Sequence, residues 1–252
     1  MKIISTILAI IAGLLLAASL LLLGDGERIT PDGEGVVELE VGDFEAFTMP
    51  GYADAVISAE YKSYFIEVEP EIKIHVLEVG QGYPIYLQHG NPTNGMLYRK
   101  VAAMLPLDRV RVIMPSMVGL GYSTKIPANQ HTLANHMRWM NEVLTTLGFT
   151  ETVYVGQDWG GPVGMGALSL SPGILKGAVL MNTGFRAPRA AMDLSSAHAL
   201  VKTPLVGEFV VEAMSSFFFK RLAGVQGDPA TMPPEVMDLY RRPLEDSGNG
   251  KA

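Results

Sequence analysis

The 252-residue chain contains no cysteine. This excludes disulfide bonds, thiolate metal sites, a cysteine nucleophile and attachment of a lipid to an N-terminal cysteine. It does not indicate a compartment, because a cysteine-free protein is compatible with oxidising and reducing surroundings alike.

Charge is also scarce: charged residues make up 18% of the chain, and the net charge is −7. Because the sequence has no basic cluster or stripe, nucleic acid is not an expected partner. The hydrophobic fraction of 48% argues against intrinsic disorder. The length allows one large domain or two small ones, and no internal repeat is visible.

The N-terminal part of the chain is an uncharged, apolar run over residues 3–23. A helix of about 21 residues is roughly 30 Å long, which is enough to cross a bilayer. We therefore interpret residues 1–24 as a membrane anchor or a cleaved signal segment, with a buried core helix as a third option. Lys2 favours a cytoplasmic N-terminus, so we expect a membrane-anchored or exported domain, on the periplasmic side in a bacterium.

The rest of the chain divides by composition and periodicity. Residues 25–54 are rich in Gly, Asp, Glu and Pro and are interpreted as a tether. Residues 55–185 alternate strands and helices, which predicts an α/β core with a mostly parallel sheet. Residues 186–252 contain no convincing buried strand and are interpreted as a helical cap, complete or incomplete. The expected elements are a hairpin of strands 63–68 and 72–79, strands 84–88, 110–114, 152–155 and 174–181, and helices 95–104 and 131–147.

The most informative turn is the sequence GQDWGG at residues 156–161. Small residues two places before and two places after Asp158 permit a strained turn from strand to helix, which raises the central side chain above the sheet. A carboxylate in this position can attack carbon and form a covalent ester. Asp158 is also a good N-cap for the helix that follows, so the turn alone leaves both interpretations open.

A second turn follows another expected strand, at His89-Gly90-Asn91-Pro92. Asn91 lies 67 residues before Asp158 (158 − 91). In an α/β-hydrolase, the loop that forms the oxyanion hole follows a strand at this distance before the nucleophile. The two turns together therefore favour a catalytic role over two unrelated turns.

The sequences YLQHGNPT at residues 86–93 and YVGQDWGG at residues 154–161 resemble the two signature turns of haloalkane dehalogenases. The resemblance covers roughly residues 64–240 and implies an α/β-hydrolase fold with a helical cap. It implies that Asp158 attacks a carbon bearing Cl, Br or I. The side-chain N–H groups of Asn91 and Trp159 would hold the halide, and their backbone N–H groups would line the oxyanion hole. The implied partners are a small apolar halogenated substrate, water and halide, with no cofactor or metal.

Each of these side chains also has a structural interpretation. Trp159 could be a core aromatic, and Asn91 a turn residue that tolerates an unusual φ. In the cap, Phe217 and Phe218 could line an apolar substrate pocket or belong to a core.

The resemblance does not extend to the catalytic histidine and acid, which follow the nucleophile in the family. The only histidine beyond Asp158 is His198, which lies in the cap segment, and Asn182 occupies a position where some family members have the acid. We therefore expect the chain to lack the catalytic histidine and acid, together with the strands that carry them. Such a chain would be alkylated once without turnover, and it would leave an apolar sheet edge exposed.

Two rival functions remain open. An epoxide hydrolase shares the Asp nucleophile but relies on two cap tyrosines to protonate the epoxide oxygen. Residues 186–252 contain a single tyrosine, Tyr240, which makes this function less favoured. The absence of an expected base favours a non-catalytic, membrane-tethered hydrolase-like protein.

Overall fold

A computed structural model describes residues 28–184 except 55, 58 and 59, residues 227–246, and the isolated positions 6, 10, 13, 203 and 224. The strands are β1 (Val36–Leu39), β2 (Gly42–Ala46), β3 (Lys62–Glu69), β4 (Ile72–Gly80), β5 (Tyr83–Gln88), β6 (Val110–Pro115), β7 (Thr152–Gln157) and β8 (Leu175–Met181). The α-helices are α1 (Gly51–Asp54), α2 (Arg99–Ala102), α3 (Leu133–Thr146), α4 (Gly160–Leu170) and α5 (Pro234–Glu245), and 3₁₀ helices span Gly95–Tyr98, Ala128–Gln130 and Pro229–Thr231.

These strands form one sheet in the order β1-β2-β3-β4-β6-β5-β7-β8. The first part, from β1 to β4, is antiparallel, and β4 also runs antiparallel to β6. The four strands β6, β5, β7 and β8 are parallel, with helices between them along the chain. The expected α/β class and N-terminal hairpin are therefore confirmed, and the described sheet is mixed, with three parallel and four antiparallel strand pairings.

The direction of sheet growth reverses at β5, because β6 is added on one side of it and β7 on the other. In open α/β sheets, the carboxyl ends of the strands on either side of such a reversal border a crevice where ligands bind. The turns after β5 and β7 meet at this crevice, and they are the two turns that the sequence singled out.

The sheet is covered on both faces, as the alternation of side chains shows. Tyr64 and Tyr86 belong to a core cluster with α3 and α4, whereas Phe65 and Leu87 belong to a second cluster on the other face. In α3 the buried face consists of Trp139, Met140, Val143 and Leu144, at the spacing of an amphipathic helix. Both clusters hold the two turns on a rigid frame.

Residues 36–46 differ from the tether expected for residues 25–54. They form the β1–β2 hairpin, and β2 pairs with β3 to extend the sheet. The partly buried Val37, Leu39 and Phe44 pack against the core, which explains why this polar segment is ordered. One face of an edge hairpin stays exposed, so its composition resembles that of a linker.

The ends of the expected domains are only partly described. Within the described residues, no helix has both the length and the apolarity needed to cross a bilayer, and residues 1–24 lie largely outside them. Of the expected cap, α5 is described, and its Leu239 is fully buried against the core. The strand β8 forms one edge of the described sheet, with Val179 and Met181 exposed.

Candidate active site

The turn after β7 gives Asp158 a strained backbone. Its φ is 53°, in the left-handed region that disfavours residues with a side chain. The chain can pass here because Gly160 has no side chain: a β-carbon there would lie 2.3 Å from the carbonyl oxygen of Gln88. Below the turn, the buried Tyr154 hydroxyl donates a hydrogen bond to the carbonyl of Gly160, in the first turn of α4. The carboxylate is thus held at the carboxyl edge of the sheet, as the expected nucleophile turn requires.

The turn after β5 is in direct contact with Asp158. The backbone N–H of Asn91 donates a hydrogen bond of 2.9 Å to Oδ1 of Asp158. At Gly90 a β-carbon would lie 2.3 Å from the β-carbon of Asp158, so only glycine allows this approach. The two turns that the sequence places 67 residues apart therefore form one site.

Asn91 and Trp159 both border a cavity of about 390 Å³ beside this site. The indole of Trp159 is 51% exposed, which excludes its interpretation as a core aromatic. Asn91 is exposed as well. Two N–H-bearing side chains therefore stand at the mouth of a mainly apolar space, an arrangement that suits an apolar molecule with an anionic leaving group. The remaining lining residues are Met117, Val118, Leu120, Ala128, His131, Thr132, Leu133, His136 and Val163.

Two described histidines are fixed within the core. Burial lowers the pKa of His89 to about 4, and both of its ring nitrogens are engaged: Nδ1 with the carbonyl of Gly90 and Nε2 with the N–H of Met117, each at 2.8 Å. Since Nε2 accepts, the ring is neutral and its proton is on Nδ1. His75 is likewise buried, with a hydrogen bond to Ser63 and a pKa lowered to about 3 by burial. Neither residue is available as a base.

The other two, His131 and His136, line the cavity, which sequence reasoning missed. Their rings are hydrogen-bonded to each other, Nδ1 to Nε2, at 3.2 Å. Burial lowers the pKa of both, that of His136 to about 4. They are five residues apart and precede the nucleophile, so only the fold shows that the start of α3 borders the crevice. Of the four histidines that the structure describes, none is hydrogen-bonded to Asp158.

The residues after β8 also contact the turn that carries Asp158, although Asn182 occupies the position where some family members have the acid. Asn182 has a φ of 46°, and the next residue, Thr183, donates a hydrogen bond of 2.5 Å from Oγ1 to the carbonyl oxygen of Asp158. Sequence reasoning missed Thr183. The available signal was topological, because the carboxyl ends of the neighbouring parallel strands β7 and β8 meet at one edge of the sheet.

The apolar pocket residues expected in the cap, Phe217 and Phe218, lie outside the described residues, as does His198.

A family model described as the alpha/beta hydrolase fold matches residues 83–225. The chain belongs to the α/β-hydrolase fold family. This confirms the fold class expected from the two signature turns, and the relatives below confirm the resemblance to haloalkane dehalogenases.

Two curated relatives illustrate the similarity. A haloalkane dehalogenase 2 of Mycobacterium bovis is 33% identical over 171 residues, which cover 67% of this chain and 57% of that protein. A cis-3-alkyl-4-alkyloxetan-2-one decarboxylase of Shewanella oneidensis is 30% identical over 182 residues, or 70% of this chain and 56% of that protein. The chain therefore spans little more than half the length of these relatives.

Solved structures show the same relationship. A variant haloalkane dehalogenase of Agrobacterium tumefaciens matches with a TM-score of 0.64 and 25% identity, over 77% of this chain and 65% of that one. An epoxide hydrolase of Vigna radiata matches with a TM-score of 0.62 and 21% identity, over 77% and 70% of the two chains, and this likeness shows the fold alone. The chain thus has haloalkane dehalogenase relatives in sequence and shares its fold with epoxide hydrolases.

Proposed function

We propose that the chain displaces halide from small haloalkanes through a covalent ester on Asp158. A carboxylate oxygen attacks the halogen-bearing carbon and forms a C–O bond, while the carbon–halogen bond breaks and halide leaves with its electron pair. The observation that carries the proposal is the hydrogen bond from the Asn91 N–H to Asp158 Oδ1, which joins a strained carboxylate to the cavity that Asn91 and Trp159 border.

The hydrogen bond also assigns roles to the two carboxylate oxygens. Oδ1 is held by Asn91, and no hydrogen bond to Oδ2 is found among the described residues, so Oδ2 is the attacking atom. The indole N–H of Trp159 and the side-chain amide of Asn91 stabilise the departing halide. The backbone N–H groups of the same two residues stabilise the oxyanion that forms when the ester is attacked.

Completion of the reaction requires a base that deprotonates water. Among the residues that the structure describes, His89 and His75 are held neutral in the core. His131 and His136 are hydrogen-bonded to each other and not to Asp158. We therefore propose that the 252-residue chain accepts one alkyl group on Asp158 and retains it.

The test is mass spectrometry of the chain after incubation with 1-bromobutane. We expect one butyl group, located on the peptide that contains Asp158, and none in the Asp158→Asn variant. Asp108→Asn is the matched control, because Asp108 is an exposed carboxylate far along the chain from the site. Labelling of Asp158→Asn at the wild-type rate would refute the proposal, and an unlabelled wild-type chain would favour the non-catalytic alternative.

Epoxide opening is the rival chemistry. Tyr240, the one tyrosine of residues 186–252, is 1% exposed, and its hydroxyl accepts a hydrogen bond from Arg99. Because it is buried and does not line the cavity beside Asp158, this phenol is not placed to protonate an epoxide oxygen there. A bromoethyl ester on Asp158 after incubation with 1,2-dibromoethane, with no hydroxy-phenylethyl ester after incubation with styrene oxide, would separate the two activities in favour of dehalogenation, because either ester would be retained and detected by mass spectrometry.

We also propose that residues 1–24 attach the domain to a membrane, on the exported side. The support is the uncharged run over residues 3–23. Retention of the chain in the membrane pellet after alkaline carbonate extraction is the expected result, and release into the supernatant would contradict it.

A further inference from the structure

The peptide unit that joins Asp158 to Trp159 accepts a hydrogen bond from a residue outside the turn after β7. Its carbonyl oxygen, that of Asp158, accepts two hydrogen bonds: one from the N–H of Gly161 at 3.1 Å and one from Oγ1 of Thr183 at 2.5 Å. The first is an ordinary bond at the start of α4. The second comes from Thr183, which follows the neighbouring strand β8. Because a side chain makes this hydrogen bond, a substitution can remove it without changing the backbone.

The packing around Thr183 shows that this contact is tight. A β-carbon added to Gly161 would lie 1.9 Å from Oγ1 of Thr183. The absence of a side chain at Gly161 therefore gives the hydroxyl its place against the turn. Thr183 Oγ1 also lies 3.4 Å from the carbonyl of Gly184, and the shorter distance identifies Asp158 as its principal acceptor.

A planar trans peptide couples the two sides of this unit. The carbonyl of Asp158 and the N–H of Trp159 lie in one plane and point in opposite directions. Whatever fixes the carbonyl therefore fixes the direction of the N–H. A hydrogen bond accepted at the carbonyl also polarises the unit and makes its N–H a stronger donor.

We propose that Thr183 is a positioning residue, which aims the backbone N–H of Trp159 at the oxyanion of the reacting Asp158 ester. This inference rests on the proposed function, because that function places the oxyanion there. Thr183 itself touches neither the substrate nor the reacting atoms; it acts through the peptide that follows the nucleophile.

The variants Thr183→Val and Thr183→Ser test the inference, since valine has nearly the same shape without the hydroxyl and serine keeps the hydroxyl. Thr152→Val is the matched control: Thr152 is buried at the opposite end of β7, and its Oγ1 also bonds backbone carbonyls, those of Val153 at 3.0 Å and Pro84 at 3.1 Å. The first readout is the backbone amide resonance of Trp159 in ¹⁵N–¹H spectra, which needs no substrate.

The second readout is cleavage of the butyl ester on Asp158 by added hydroxylamine, which needs no enzymic base. The hydroxylamine nitrogen attacks the ester carbonyl carbon and forms a C–N bond. The bond between the carbonyl carbon and the butoxy oxygen then breaks, and a proton passes from nitrogen to the departing butoxy oxygen, giving butanol and an Asp158 hydroxamate. The oxyanion formed in this attack is the charge that the Trp159 N–H would stabilise.

In Thr183→Val we expect the Trp159 resonance to shift or broaden and ester cleavage to slow about 10-fold, less than the loss from removing an oxyanion donor outright. Alkylation itself should change little, and Thr183→Ser and Thr152→Val should behave as wild type. An unchanged Trp159 resonance in Thr183→Val, or equal effects of Thr152→Val, would overturn the inference. If 1-bromobutane labels no variant, the proposed function fails, and the Trp159 resonance still decides whether Thr183 holds the peptide.

Discussion

At the scale of single residues, the two tryptophans of the chain provide an internal comparison. Trp159 is 51% exposed at the cavity mouth, whereas Trp139 is 2% exposed and packs in the core under α3. If the indole N–H of Trp159 holds halide, its fluorescence reports binding directly.

We predict that bromide quenches the fluorescence of the chain with a saturable component. Trp159→Phe should abolish this component, because the anion loses its indole donor and the signal loses its reporter. Trp139→Phe should retain it. A fluorescence titration with sodium bromide, against sodium sulfate at equal ionic strength, measures the effect. Survival of the saturable component in Trp159→Phe would contradict the assignment.

Asp158, Asn91 and Trp159 could be chosen as candidates from the sequence, because each lies in a short turn whose glycine and proline pattern is visible within a few consecutive residues. Thr183 could not be predicted in this way, because its hydrogen bond to the carbonyl of Asp158 depends on pairing between β7 and β8. The same holds for His131 and His136, which reach the cavity only through the placement of α3.

At the scale of elements, the site depends on contact between the turn after β5 and the turn after β7. A β-carbon at Gly90 would clash with the β-carbon, Cγ and Oδ1 of Asp158. Displacement of a nucleophile by about 1 Å can cost about 100-fold in rate.

We therefore predict that Gly90→Ala is alkylated by 1-bromobutane about 100-fold more slowly than wild type. Gly177→Ala, on β8, is the matched control, because its β-carbon would meet only Val153, at 3.8 Å. Rates of butyl incorporation, measured by intact mass over time, decide the matter. Wild-type labelling of Gly90→Ala would show that the two turns need not touch for reaction.

Elements with a strong apolar pattern, whether a continuous run or one face of a helix, were the easiest to predict. The apolar runs of β5 and β6 and the amphipathic α3 all appear within a few residues of their expected bounds. The β1–β2 hairpin was missed because its exposed Glu38, Gly42 and Asp43 dilute the alternation of a strand. Helix α5 was expected within a cap, but whether it packs on the core depends on contacts distant in sequence, such as that from Asn94 to the carbonyl of Leu239.

At the scale of the whole molecule, buried neutral histidines make stability depend on pH. Burial lowers the pKa of His75 to about 3 and of His89 to about 4, whereas the unfolded chain has the ordinary value of 6.5. The unfolded state therefore binds more protons below pH 6.5. Full stability is present above that pH and is lost as the pH falls toward the folded-state values.

We predict that the free energy of unfolding falls between pH 6.5 and pH 5 by about 2 kcal/mol for each of these two histidines. Urea denaturation at pH 7.5, 6.5, 5.5 and 5 measures this slope. Burial also lowers the pKa of His131 and His136, that of His136 to about 4, so these residues add to the slope. His75→Gln can keep a hydrogen bond to Ser63 and cannot titrate, so it should remove only the part of the slope that His75 contributes, about 2 kcal/mol. A flat profile between pH 7.5 and 5 would show that these rings are not held neutral.

The proposed function is that Asp158 displaces halide and keeps the alkyl group. Its most direct test is a count of bromide released per chain from excess 1-bromobutane, followed over time beside the mass of the chain. We predict a single burst of one bromide per chain, matched by one butyl group on Asp158, and no burst in Asp158→Asn. Sustained release of many bromide ions per chain, or release with Asp158 unmodified throughout, would contradict it.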